Sequence, residues 1–507
     1  MSQTTGSNLI ARNTAFLYIR MVVVMCVSIY TSRVVLQTLG VVDYGIYNVV
    51  AGFVALFAFL NSSFNASIQR FYNFEKGTNG DDGVTKVYNT SLCIQALLAV
   101  VVLLVAETIG LWYVHHMLVV PAERFYSAVW VYHLSVFQML IVVLQVPYSA
   151  AIVADERMDF YAWMSIFDVV GRLAIVFFLP MLPADKLIMY AILSTTITSV
   201  GFLIYYIYSK AKIVQLKFRP VFEKLLFTSM LSFSGWNILG ALSVTLRNQG
   251  VNVILNWFFG PVVNAARAVS FQIQAALLGF SNNITTAARP QLVESYAIGN
   301  IERSKNIMFG LSKVCFLVLF VLVLPISIEI NYVLRIWLGD AVPEYSNIFT
   351  ILILITALID ITNTPVSMIV LATGNNAKLN VASSVIGLLL LPLSFVILKF
   401  GSSPVSVYIL TIVVSFSIQL SSLLVMRRIV GISLKKYLYD VVIPLAIIVV
   451  LSPILPLSVH FIMEESFLRL IIVTIVAVIS VLTFSYQFGL NISEKSLAKN
   501  FIVSRFN

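Results

Sequence analysis

Apolar residues in this chain gather into runs of about 20, neither alternating nor recurring at amphipathic helical spacing. Short polar segments separate the runs from end to end. A run of about 20 apolar residues crosses a hydrocarbon core about 30 Å thick as an α-helix. The runs are too long and too continuous for the roughly ten-residue alternation of a membrane β-barrel. The pattern predicts fourteen spans, near 14–38, 44–68, 87–110, 125–150, 161–180, 187–209, 228–253, 263–287, 311–333, 346–370, 380–399, 405–426, 438–458 and 467–487. The second and eighth end in polar residues, and the eleventh is short. The expected fold is an all-α polytopic membrane protein.

Composition agrees: 60% of the residues are hydrophobic and 11% charged, against about 25% charged in ordinary soluble domains. The basic residues then orient the spans. With a cytoplasmic N-terminus, 22 of the 32 Lys and Arg fall on the cytoplasmic side and six on the other. Arg20, Arg172, Arg247 and Arg267 remain inside spans. This bias supports an even span count with both termini cytoplasmic. It also accounts for the net charge of +10 without nucleic acid, since no dense basic run is interleaved with aromatics. The N-terminus has no basic n-region and no small-residue cleavage site, so the first helix is expected to be retained as an internal signal. The short loops leave no room for a soluble catalytic domain, and no Gly-Lys-Ser/Thr phosphate loop is present.

Two stretches 220 residues apart match in the order of their features. "LGVVDYGIYNVVAGFVALFAFLNSSFNASIQRFYNFEKGTNGD" begins at Leu39, and "FGPVVNAARAVSFQIQAALLGFSNNITTAARPQLVESYAIGNIE" begins at Phe259. Gly40 falls on Gly260, each opening a turn into a long helix, and Asn61 to Asn65 fall on Ser281 to Thr285. Two successive sets of six spans have the same orientation, which makes a parallel repeat about an axis along the membrane normal. The expected organisation is a six-helix bundle over 1–215, a second over 216–430, and two further helices with a cytoplasmic tail over 431–507.

The segment "RVVLQTLGVVDYGIYNVVAGF", with Leu39-Gly40 and Tyr44-Gly45-Ile46-Tyr47, resembles the opening of bacterial polysaccharide flippases. These are the Wzx-type exporters of the multidrug/oligosaccharidyl-lipid/polysaccharide superfamily. The layout of six, six and two spans is similar to its flippase branches. The resemblance implies a multi-pass protein of the bacterial inner membrane that flips undecaprenyl-pyrophosphate-linked oligosaccharides by alternating access. It implies service to O-antigen, capsule or exopolysaccharide synthesis. It also implies contact with membrane lipids and with polysaccharide polymerase and chain-length machinery.

Charges inside the bilayer are expensive and usually face the bundle interior. Arg20 lies about 8 Å into span 1 at 1.5 Å per residue, where snorkelling to the headgroups competes with a cavity role. Arg172 shares a polar stripe with Tyr161, Ser165 and Asp168, and Asp168 is placed four residues ahead for an ion pair. Arg247 shares a face with Trp236, Gly240 and Ser243. Arg267 opens a stripe through Asn264, Gln274, Ser281 and Thr285, matched on span 2 by Tyr47, Asn61 and Asn65. Polar glue between packed helices is the competing reading of both stripes. Arg20, Arg172, Arg247 and Arg267 are therefore candidate pyrophosphate ligands, because a guanidinium fork suits phosphate oxygens. Asn61, Asn65, Asp168, Gln274, Ser281 and Thr285 are candidate cavity-lining residues. Asp360, near Asn363, Thr364 and Pro365, is a candidate coupling-ion site, with a structural polar cluster as the competing reading.

Chemistry beyond binding is not expected. Cys26, Cys93 and Cys315 are isolated apolar fillers, and no His/Cys/carboxylate set has metal spacing. Adjacent His115 and His116 point apart on a helix. No cofactor, metal, nucleic-acid partner or enzymatic activity is expected. The alternatives are an organic-cation antiporter of the same superfamily, a peptidoglycan-precursor flippase, and a membrane scaffold for polysaccharide synthesis. Scarce unpaired carboxylates argue against the antiporter.

Overall fold

The computed structural model describes residues 2–155, 157–213, 223–373 and 377–489. Every described element is helical, as expected where backbone groups must be satisfied without water. The backbone divides into two compact units, Met1–Ala268 and Val269–Asn507. That division falls inside one long helix, later in the chain than the expected 215/216 join of the two six-span repeats.

The first unit begins with α1 (Ser2–Val54), which Gly40 breaks into two arms. A 3-10 turn then leads to α2 (Ala58–Thr78) and α3 (Gly80–Val105). A π-helical turn over Ala106–Gly110 joins α3 to α4 (Leu111–His116). The Tyr132 hydroxyl donates to the Ala106 carbonyl at 2.6 Å, and a Cβ on Gly110 would meet that hydroxyl at 2.0 Å. Next come α5 (Phe125–Ala154), α6 (Met158–Phe178), α7 (Lys186–Lys212) and α8 (Lys224–Phe259). The unit ends in the first part of α9 (Pro261–Ala297). α1 packs on α6, α5 on α7, and α2 on α5 and α8.

The second unit continues through α10 (Ile301–Ile328), α11 (Ile330–Leu338), α12 (Ser346–Ala372), α13 (Ala377–Leu388) and α14 (Leu390–Lys399). It closes with α15 (Val405–Val430), α16 (Leu434–Tyr437), α17 (Ile443–Leu451), α18 (Ile454–Ile462) and α19 (Phe467–Phe484). Along α15, Ile409, Val413, Phe416, Leu420 and Leu424 form one exposed apolar stripe, while Val414, Ile418, Ser422 and Met426 are buried. In a membrane the apolar stripe is the lipid-facing side, so hydrophobicity alone does not mark the core.

Among the described residues, eleven stretches are long and apolar enough to cross a membrane. The expected span at 263–287 is helical but falls outside these eleven, while those at 228–253 and 44–68 run partly through side chains outside the described residues. For 263–287, Asn264, Arg267, Gln274 and Ser281 lower the hydropathy.

Ion pairs fasten both ends of the first unit. Arg124 grips Asp43 with Nε at 2.8 Å and Nη2 at 2.5 Å, and reaches Asp185 with Nη1 at 2.6 Å. Asp185 also caps α7, accepting from the backbone N–H of Leu187 at 2.9 Å and Ile188 at 3.2 Å. Asp155 follows α5 and accepts from Lys76 at 2.7 Å and from Arg157 at 3.1 Å. Burial alone would raise the Asp155 carboxyl, but the two cations outweigh it and hold its pKa below the usual value. A depressed carboxylate contributes stability above its unfolded pKa and loses it as pH falls through the folded one. Lys76→Gln is therefore expected to lower thermal stability slightly at neutral pH, and the deficit should shrink below about pH 4. Melting curves of both proteins in detergent between neutral and acid pH test this; an undiminished deficit at acid pH counts against it.

Candidate functional site

α6 presents two opposed faces. Trp163, Val170 and Phe177, seven residues apart, are exposed. Asp168 and Arg172 lie about 140° and 180° around the helix from Trp163, at 100° per residue. Their side chains are 45% and 29% exposed, and Arg172 Nε donates to Asp168 Oδ2 at 3.0 Å. The span runs Asp159–Met181, so each charge is about 14 Å from its nearer end at 1.5 Å per residue. A charge pair at that depth, open to its surroundings and turned away from the apolar face, requires a polar, hydrated surface.

The second arm of α1 and α7 pack beside this pair. Tyr47 and Tyr190 meet edge to face with ring centroids 4.9 Å apart, and both lie near Arg172. Ser165 extends the stripe one turn away, its hydroxyl donating to the Tyr161 carbonyl at 3.0 Å. The expected Asp168–Arg172 pair is thus present.

Arg247 is half-buried in α8 and makes no hydrogen bond or ion pair among the described residues. Arg267 is buried, and its Nη2 donates to the Asn248 carbonyl at 2.8 Å, tying α9 to α8. Arg20 is in α1, but its side chain lies outside the described residues, as does that of Trp236; Gly240 is likewise outside them.

Within the first unit, Asn61 Nδ2 points to Met139 Sδ at 3.9 Å, and Asn61 Oδ1 is buried without a hydrogen bond. Asn65 Nδ2 donates to Ser149 Oγ at 3.2 Å, and Asn65 Oδ1 accepts from Gln69. In the second unit, Gln274 is half-buried and has no hydrogen-bond partner among the described residues. Ser281 is buried and donates to the Cys315 carbonyl at 3.1 Å, while the Thr285 hydroxyl donates to the Asn282 carbonyl at 2.8 Å. Asp360 is half-buried in α12, and its backbone carbonyl accepts from Thr364 at 3.4 Å. Pro365 lies inside the helix there. The nearby Thr362 carbonyl accepts from Ser312 at 3.3 Å and Tyr437 at 3.5 Å. Among the described residues no group of three or more His, Cys, Asp or Glu could hold a metal ion.

Three buried charged groups among the described residues, Lys313, Glu329 and Arg469, were not candidates from the sequence. Lys313, counted there among cytoplasmic residues, is buried in α10 and donates to the Gly489 carbonyl at 3.1 Å. Glu329, at the end of α10, is fully buried between Arg469 Nη2 and His460 Nδ1, each at 2.7 Å. The partners lie 131 to 176 positions away. Periodicity relates residues on one helix, so no such pattern could have paired them.

Residues 10–296 match the family described as polysaccharide biosynthesis protein. Comparison with curated protein sequences gives no match. Among solved structures, the lipid II flippase MurJ in an inward closed conformation aligns with a TM-score of 0.70 at 13% identity, over 94% of this chain and 98% of that one. An inward-facing multidrug-resistance MATE transporter of the MOP superfamily aligns with a TM-score of 0.63 at 14% identity, over 82% of this chain and 94% of that one. A MOP superfamily transporter from Pyrococcus furiosus, described by the reverse polarity of its binding pocket, gives 0.56 at 12% identity, over 83% and 95%. At these identities the likeness is one of fold.

Proposed function

The chain belongs to the polysaccharide biosynthesis protein family, and we propose that it flips an anionic, lipid-linked oligosaccharide across the bacterial inner membrane by alternating access. The observation that carries this reading is the half-exposed Asp168–Arg172 stripe, set at mid-span and opposite the apolar face of α6. A hydrated surface at that depth suits a cargo whose polar head crosses the membrane while its lipid tail stays in hydrocarbon. Arg247, half-buried and without a protein partner among the described residues, supplies a fixed cation for a pyrophosphate. Arg172, already paired with Asp168, offers both donors and an acceptor to neutral hydroxyl groups. The fold shared with a lipid II flippase supports a lipid-linked saccharide cargo of the undecaprenyl-pyrophosphate type. The cytoplasmic side follows from the bias of Lys and Arg, and the delivered unit passes to a polysaccharide polymerase.

The test is export of surface polymer from cells in which variants replace the chromosomal copy. Arg247→Gln removes a charge-assisted bond of about 1.5–3 kcal/mol, so export is expected to fall by on the order of tenfold or more with the protein still in the membrane. Wild-type export from an equal amount of variant would overturn the assignment of Arg247. Mass spectrometry of lipid co-purifying with the wild-type protein identifies the cargo. A recovered organic cation in place of a prenyl-pyrophosphate glycan would overturn the substrate class.

A further inference from the structure

After Gly40, the second arm of α1 lies directly against the junction of α8 and α9. A Cβ on Gly45 would stand 2.0 Å from the Pro261 carbonyl oxygen. A Cβ on Gly52 would stand 2.7 Å from Asn252 Nδ2 and 2.8 Å from Gln249 Oε1. Gly45, Asn48 and Gly52 share one face of the arm. Between the two glycines, the Asn48 carbonyl accepts from Asn252 Nδ2 at 3.3 Å. Asn264 Nδ2 donates to Asn252 Oδ1 at 2.6 Å and to the Asn252 carbonyl at 2.8 Å. Arg267 anchors the far side through the Asn248 carbonyl at 2.8 Å. Asn256, one turn beyond Asn252, brackets the Val119 backbone, accepting from its N–H at 3.0 Å and donating to its carbonyl at 3.3 Å. Asn252, Asn256, Asn264 and Arg267 are all buried.

We propose that this ladder of amides is a reversible lock that closes the Gly40 end of the transport path, with Arg267 as the positioning residue that sets α9 against α8. The proposal rests on the alternating-access reading above. Three features carry it. The contact joins the two turns that align in the sequence repeat, and Gly40 and Gly260 have the same backbone conformation, with φ 79°, ψ 168° and φ 74°, ψ −171°. The rung from the arm, Asn252 Nδ2 to the Asn48 carbonyl, and the Asn256–Val119 pair ahead of α5 are neutral amide contacts, which water can replace one for one on opening; a buried ion pair resists parting far more strongly. The fastening of the arm on its other side is charged: Asp43 is held by Arg124, which also holds Asp185 at the start of α7. The arm therefore stays with α5 and α7 while it releases α8 and α9.

The test uses the full-length protein with Cys26, Cys93 and Cys315 replaced by Ala. In Gly52→Cys/Asn252→Cys, the shortened side chain at position 252 vacates the space beside the new thiol. Oxidation is expected to crosslink the pair and stop export, and reductant to restore it. Failure to crosslink, or full export by crosslinked protein, would overturn the lock. In an Asn256→Cys background, Arg267→Gln is expected to raise severalfold the rate of labelling by a membrane-impermeant thiol reagent applied outside. Arg267→Lys, which can still donate to the Asn248 carbonyl, is expected to keep the rate low. Equal rates in both variants would remove Arg267 from the device. Crosslinking and labelling need no substrate. Deletion of the chain with polymer unchanged would therefore sink the proposed cargo while leaving these two readouts intact.

Discussion

Arg469→Met is expected to destabilise the second unit by about 3–5 kcal/mol, because it leaves a buried carboxylate without its principal counter-charge. Glu329 is fully buried, and Arg469 closes on it at 2.7 Å while also donating through Nη1 to the Met463 carbonyl at 3.2 Å. His460 approaches the other carboxylate oxygen at 2.7 Å, but one imidazole is a weak substitute for a guanidinium at a buried anion. The double variant Glu329→Leu/Arg469→Met should recover most of the loss, since replacing both partners of a buried pair with apolar groups is often nearly neutral. Unfolding curves in detergent for the two singles and the double form a mutant cycle. A double variant no more stable than the weaker single would show that the pair's worth lies elsewhere. The same cluster joins the end of α10 to α18 and α19, and Lys313 joins α10 to the π-helical turn after α19 at Gly489. The last two expected spans are therefore integral to the second unit.

Gly45→Ala is expected to hold the second arm of α1 away from α9 and to lower the melting temperature by more than Gly40→Ala does. The added carbon would lie 2.0 Å from the Pro261 carbonyl oxygen and 2.6 Å from its carbon. Both are backbone atoms, so no rotamer change relieves the overlap, and α1 and α9 would have to separate. Gly40→Ala provides the contrast. A Cβ there meets nothing within 4 Å, so its penalty is the backbone strain of a region almost confined to glycine, about 1–3 kcal/mol. Membrane yield and melting temperature of the two variants, measured side by side, decide the matter. If Gly45→Ala were the milder of the two, the close approach of α1 to α9 would be wrong.

The two glycines show how far the sequence reading reached. The alignment of Leu39-Gly40 with Phe259-Gly260 predicted two equivalent turns, and the backbone angles at both agree. A glycine with positive φ is a local property, and local properties are written in neighbouring residues. The role of Gly45 was not legible, because the atom that excludes a side chain there belongs to Pro261. Arg172 illustrates the same boundary. Its pairing with Asp168 was readable, being four residues along one helix, whereas its neighbours Tyr47 and Tyr190 come from two other helices. Arg267 was read as a candidate anion ligand from its polar stripe, and tertiary packing gives its Nη2 to the Asn248 carbonyl.

What the sequence by itself determined is the membrane class, the helical architecture and the aligned glycine turns, together with the charges that lie at depth. These follow from run length, composition and spacing, which need no knowledge of neighbours. Only the tertiary structure decided which of those charges are engaged. It paired Glu329 with Arg469 and His460, gave Lys313 a carbonyl partner, and left Arg247 unpaired among the described residues. The physical reason is that a charge in a low-dielectric medium is stabilised by whatever stands within a few ångströms. In a bundle of long helices, those neighbours come from segments more than a hundred residues away.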